Sequence, residues 1–130
     1  MPQVTCLVVT PEETALQEVV DFVALPLYDG EIGIAGNHSP MIGRLGFGEL
    51  RLRSPEGVKR YYVDGGFVQV ADNIVSVLTS RAIPVDQVDR EAAQQHLEQA
   101  LKLPAATSEQ QEARNKRIAQ ARAQLHLASR

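Results

Sequence analysis

Glu49-Leu50-Arg51-Leu52-Arg53 alternates leucine with charge along five consecutive residues. Successive side chains of an extended chain point to opposite sides, so Leu50 and Leu52 share one face and the charged groups the other. A strand that is apolar on one side and wet on the other belongs in an antiparallel sheet. Further runs rich in β-branched and aromatic residues flank it: Val4 to Val9, Val19 to Leu25, Gly48 to Arg53, Arg60 to Val63, Phe67 to Val70 and Ile74 to Leu78. Pro11, Pro26, Gly30, Pro40, Gly46, Pro55-Glu56-Gly57, Asp64-Gly65-Gly66 and Asp72-Asn73 punctuate them. Short strands at spacings of about 8 to 12 residues predict an antiparallel sandwich or barrel.

The pattern changes after Arg81. Ala82-Ile83-Pro84 closes the last strand, and Asp86 stands where a helix N-cap would accept the first orphan amide hydrogens. Val88, Ala92, Leu97 and Leu101 then recur near helical spacing, which predicts a first helix to about Leu101. Pro104 ends it, and Ser108 with Gln111 has the form of a capping box opening a second helix to about Leu127. The thin apolar side of that helix, Ala113, Ile118, Ala121 and Leu125, predicts an alanine-rich antiparallel hairpin that buries little area and is weakly held. The expected organisation is therefore a mainly β, α+β chain: a sandwich over residues 1–84 and a two-helix hairpin over residues 85–130.

Composition narrows the function. The chain has 130 residues, 44% of them hydrophobic, and a net charge of −3, which argues against a nucleic-acid binder with its concentrated basic surface. Residues 1–84 hold six Lys/Arg and ten Asp/Glu, net −4, whereas residues 85–130 hold seven and six, net +1. No apolar run approaches the roughly 18 residues of a membrane-spanning helix, and the start of the chain lacks the pattern of a signal peptide. Cys6, alone inside an apolar run, reads as a buried hydrophobe in a reducing compartment.

Catalytic constellations are missing. The three histidines, His38, His96 and His126, fall in a loop and on the two helices, so no strand-borne metal cluster of a jelly-roll enzyme forms, and no Gly-x-Ser-x-Gly elbow exists. Gly65-Gly66 lacks the glycine spacing, the lysine and the following helix of a phosphate-binding loop, and reads as a tight reversal between two strands. The segment from Tyr28 to Met41 has a different character. Gly30, Gly33 and Gly36 permit positive φ and Pro40 fixes its own, so the segment reads as a shaped docking loop. By residues alone, a generic sandwich that binds a protein or ligand remains the alternative.

A longer set of motifs decides between these readings. Leu7-Val8-Val9-Thr10-Pro11, Val20-Asp21-Phe22-Val23-Ala24-Leu25-Pro26, Gly30-Glu31-Ile32-Gly33-Ile34, Asn37-His38-Ser39-Pro40-Met41, Gly48-Glu49-Leu50-Arg51-Leu52, Gly65-Gly66-Phe67-Val68-Gln69-Val70 and Asn73-Ile74-Val75-Ser76-Val77-Leu78 follow one another ahead of a helical hairpin. In order and spacing this set resembles the epsilon subunits of F-type ATP synthases across the whole chain. The resemblance implies a ten-stranded antiparallel β-sandwich plus two C-terminal helices. It further implies a non-catalytic rotor subunit of the central stalk that joins the gamma subunit to the c-ring, and helices that restrain ATP hydrolysis at the alpha/beta head.

The same resemblance sets Asp29 and Glu31, with His38, Ser39, Pro40 and Met41, against the polar loops of the c-ring. His38 is read equally as a contact to that partner or as a group that organises its own loop. Arg114, Arg117 and Arg122 are the expected contacts of the hairpin to acidic surfaces of the head, or else a solvated helix face. Some relatives bind ATP through Ile/Leu-Asp-x-x-Arg-Ala. Val88-Asp89-Arg90-Glu91-Ala92-Ala93 keeps the aspartate but has Ala92 at the arginine position, and Gln124 and His126 stand where many relatives are basic. ATP sensing thus rests on Asp89 alone, and no cofactor is expected. The expected location is the cytoplasmic face of a bacterial inner membrane, reached peripherally through the complex.

Overall fold

A computed structural model describes residues 2–128. It contains eight strands: β1 (Val4–Val9), β2 (Thr14–Val20), β3 (Phe22–Leu27), β4 (Gly30–Ala35), β5 (Met41–Ser54), β6 (Gly57–Ala71), β7 (Ile74–Leu78) and β8 (Ala82–Pro84). They hydrogen-bond in the order β2-β1-β7-β6-β5-β3-β4, with β8 added to β6. All pairings are antiparallel except β1 with β7, which run parallel. The expected count of ten strands becomes eight because β5 and β6 are 14 and 15 residues long and serve both layers of the sandwich.

Side-chain parity shows where these strands turn the corner. On β5 the core residue before the bend is Leu45 and those after it are Leu50 and Leu52; on β6 Val63 precedes it and Val68 and Val70 follow. An odd-to-even switch reverses which side chains point inward, which a strand achieves only through a bulge or sharp bend. The β5–β6 register is the same on both sides of that place, Leu45↔Gly66 and Phe47↔Asp64, so the two strands bend together. Gly65 and Gly66, at φ 73° and 109°, supply the positive-φ backbone. The glycine pair is therefore a bend inside one strand, correcting the expected reversal between two. One layer holds β4, β3, β8 and the Phe47-to-Ser54 and Gly57-to-Val63 halves of the long strands. The other holds β2, β1, β7 and the remaining halves.

The core lies between the layers. Val4, Cys6, Val8 and Val20 meet Val23, Leu25, Ile34, Leu50 and Leu52 there, together with Val68, Val70, Val75 and Val77. Interdigitated β-branched side chains at crystal-like density make such a body stiff. Two further expectations change. The run Val19 to Leu25 divides at Asp21 into β2 and β3, where the Asp21 N–H donates to the Arg53 carbonyl at 2.8 Å. The Tyr28-to-Met41 segment is not all loop, since Gly30–Ala35 forms the edge strand β4.

The helical part is a second compact unit, beginning at Val85. Val85–Gln87 forms a single 3-10 turn, followed by α1 (Arg90–Leu101) and α2 (Ser108–Ala128). The N-cap of α1 is Asp89 rather than Asp86: its Oδ1 accepts from Ala92 N–H at 3.1 Å. The box opening α2 also lies one residue earlier than expected. Thr107 Oγ1 accepts from Gln110 N–H at 3.1 Å, and Gln110 Oε1 accepts from Thr107 N–H at 3.2 Å. On α1 the buried residues are Ala93 and Ala100, while Leu101 is exposed. On α2 they are Ile118, Ala121 and Leu127, and Ala113 is exposed.

Candidate functional site

The expected docking residues fall into two clusters at opposite ends of the β3–β4 hairpin. Tyr28 and Asp29 form the exposed turn between β3 and β4, and Glu31 follows on β4. The second cluster, Asn37 to Met41, lies past the far end of β4. Six extended residues separate the two ends by roughly 17 Å, so they do not make one compact patch.

In the first cluster Glu31 is already engaged. Arg51, from β5, donates through Nη2 to Glu31 Oε1 at 2.7 Å and through Nη1 to Glu31 Oε2 at 3.2 Å. Nη1 also reaches Glu49 Oε1 at 3.2 Å. Glu31 first and Glu49 second hold the Arg51 guanidinium above its ordinary pKa. Glu31 stands half exposed and Glu49 is buried.

The second cluster is tied down by its own polar groups. Asn37, at φ 63°, donates its N–H to Asn73 Oδ1 at 2.6 Å, which fastens the β4–β5 loop to the β6–β7 turn. Asp72 and Asn73 carry φ of 52° and 62°, as a two-residue type I′ hairpin turn requires. His38 Nδ1–H donates to the Ser39 carbonyl at 2.7 Å, so the imidazole organises its own loop. Ser39 and Pro40 are exposed, and Met41 packs partly against the core.

A larger surface escapes motif reading. The outward side of the β2-β1-β7-β6-β5 layer carries Val19, Ile42, Phe67, Ile74 and Leu78, which are between 44% (Ile74) and 77% (Ile42) exposed. Register sets Phe67 directly opposite Leu78, puts Thr5 between Val19 and Ile74, and pairs Ile42 with Gln69 on the same face. An outward row of large apolar side chains this long is uncommon on a chain that has no partner. Its signal was in the sequence. Phe67-Val68 and Ile74-Val75 are apolar at both parities, whereas a strand with one wet face would alternate.

On the hairpin, the Asp89 carboxylate is spent as the cap of α1. Arg114 and Arg122 come together with Leu101 and Ile118 along a groove of about 390 Å³, and Arg117 lies outside it. Arg114 Nη2 donates to the Leu101 carbonyl at 3.5 Å, which marks where α2 folds back beside the end of α1.

Reactive groups are sparse. Burial pushes the Cys6 thiol up to about 12, with the Glu18 charge adding to it, so the sulfur stays protonated and inert. Among the described residues no group of three or more His, Cys, Asp or Glu is placed to hold a metal ion. None of their helices is long and apolar enough to cross a membrane.

Comparison with known proteins agrees with this geometry. Residues 3–85 match the family described as ATP synthase, Delta/Epsilon chain, beta-sandwich domain. The ATP synthase epsilon chain of Rhodopirellula baltica is 52% identical over 122 residues, which cover 94% of this chain and 95% of that one. That of Leptospira interrogans serovar Lai is 37% identical over 101 residues, 78% of this chain and 80% of the other. Among solved structures, a chain of the Euglena gracilis mitochondrial ATP synthase aligns with a TM-score of 0.85 at 24% identity, covering 100% of this chain and 83% of that chain. A chain in the central stalk and c-ring structure of the Tetrahymena thermophila mitochondrial enzyme aligns with a TM-score of 0.77 at 16% identity, covering 96% of each. At these identities the two structures establish likeness of fold.

Proposed function

The chain belongs to the ATP synthase epsilon family, and from that premise we propose that it is a non-catalytic rotor subunit that docks the gamma subunit on the outward face bearing Ile42, Phe67, Ile74 and Leu78. The observation that carries this reading is the row of exposed apolar side chains on a sandwich whose core is otherwise closed. Burying such a row against a partner gains roughly 25 cal/mol for each Å² removed from water. A stiff two-layer body then passes torque with little deformation.

The c-ring contact in this reading is the Tyr28-to-Glu31 turn, with Asp29 and Glu31 facing its polar loops. The second cluster, His38, Ser39, Pro40 and Met41, adjoins Ile42 along the chain and extends the gamma interface. Such polar contacts fix register more than they add affinity. The assembled subunit sits peripherally at the cytoplasmic face of a bacterial inner membrane, held there through the complex.

The hairpin is proposed to restrain ATP hydrolysis. Arg114 and Arg122 flank exposed Leu101 in one groove, a cationic and apolar combination that fits acidic surfaces of the alpha/beta head, with Arg117 as an outlying contact. Asp89 supports the hairpin as its helix cap.

Co-purification tests the docking role. The full chain should retain the gamma subunit from solubilised membranes, and an Ile42→Asp, Phe67→Asp double variant should lose it. A chain that ignores gamma, or that turns over a small molecule unaided, would overturn the assignment. Removing the residues after Asp86 should raise ATP hydrolysis by the reconstituted complex, and unchanged hydrolysis would count against restraint.

A further inference from the structure

We propose that Arg44 is the specificity-determining residue of the outward face, pairing with a carboxylate that the docked protein must present. This rests on the docking role above and adds to it the chemistry of the partner. Arg44 stands on β5 directly opposite Phe67, and the row continues through Leu78 to Val9. It therefore closes one end of the apolar surface. Its guanidinium lies 4.5 Å from the centroid of the Tyr28 ring, and that ring is 71% exposed. The Tyr28 N–H also donates to the Arg44 carbonyl at 2.8 Å, so backbone and side chain both hold the pair in place.

The charge of Arg44 is uncommitted. Arg51 is taken by Glu31 and Glu49, and Lys59 by Glu18, but among the described residues no ion pair includes Arg44. A partner that covers Phe67 and Leu78 strips water from the neighbouring guanidinium as well. Burying that charge without acceptors costs far more than the apolar contact beside it gains. The partner must therefore return acceptors at this corner. The guanidinium fork offers two parallel N–H donors, which a carboxylate accepts together. Stacking on Tyr28 orients the fork in advance, so less side-chain freedom is lost when the pair forms. A lysine at this position would keep the charge and lose both the fork and the stack.

Titration of the full chain with purified gamma subunit, at low and at high salt, tests the inference. Arg44→Gln should weaken binding about 30-fold or more, the cost of truncating one partner of a buried charged pair. Arg44→Lys should recover only part of that loss, and the salt dependence of wild-type binding should flatten in Arg44→Gln. If Arg44→Gln binds like wild type while Ile42→Asp does not bind, the face docks but Arg44 reads nothing, and the inference is overturned alone. If wild type itself fails to bind gamma, the docking role falls and takes this inference with it.

Discussion

At Gly66 the backbone of β6 runs so close to the end of β7 that a Cβ atom there would stand 1.8 Å from the Leu78 carbonyl oxygen. The obstacle is backbone, so no side-chain rotation relieves it. With φ at 109° the position also lies where L-residues are strained. Gly66→Ala should therefore cost about 3 kcal/mol or more in urea unfolding, the sum of backbone strain and overpacking. Gly65→Ala is the internal control. There the nearest atom is a Phe47 ring carbon at 3.2 Å, which can shift, and φ of 73° is close to the ordinary left-handed well. That change should cost about 1 to 2 kcal/mol. Equal costs at the two positions would mean that the corner is not set by the approach to Leu78.

That corner marks the limit of what the sequence discloses. Alternation at Glu49 to Arg53 and the shift to helical spacing after Arg81 identify both parts of the chain, since each periodicity is local. The joining of two strand halves through Asp64-Gly65-Gly66 is not local. A glycine pair permits a reversal or a bend equally, and contact with β7 selects the bend. Asp21 divides a single apolar run for a similar reason, because its amide is claimed by Arg53 from the neighbouring β5. At the helix starts, Asp86 and Asp89 are chemically equivalent caps, as are Thr107 and Ser108. Where the first helical hydrogen bond closes decides between them. Turn residues and motifs mark the candidate docking loops in the sequence. The apolar face shows in the sequence only as a loss of alternation at Phe67-Val68 and Ile74-Val75, and it takes the register to tell which parity points outward.

The buried thiol predicts a pH dependence. Cys6 holds its proton up to about 12 in the folded chain against an ordinary value of 9.0. Below pH 9 both states are protonated and the group contributes no slope. Above it the unfolded chain releases the proton and the folded chain does not, so stability falls as pH rises, by about 1.4 kcal/mol per pH unit until the folded thiol also titrates. Urea unfolding between pH 8 and pH 11 should show this loss in wild type and a shallower one in Cys6→Ala. Parallel curves for the two proteins would place the thiol in contact with water. In agreement with burial, a thiol reagent at neutral pH should label Cys6 only as fast as the chain opens.

Arg51 couples an exposed carboxylate to a buried one, and the two pairs should differ in worth. Glu31 is half exposed, so Glu31→Gln removes a screened contact and should cost less than about 1 kcal/mol. Arg51→Met withdraws one of the groups that stabilise the Glu49 carboxylate, whose side chain is only 5% exposed, and should cost more than Glu31→Gln. The combination Arg51→Met, Glu49→Gln should recover part of that loss, because the carboxylate that Arg51 served is neutralised as well. Unfolding of the four proteins at neutral pH gives the coupling directly. If Arg51→Met costs no more than Glu31→Gln, the pair with Glu49 is not what anchors Arg51. The same series bears on docking: with Arg51 gone, Glu31 keeps its charge but loses its fixed position, so any contact that it makes with the c-ring should weaken even though the carboxylate remains.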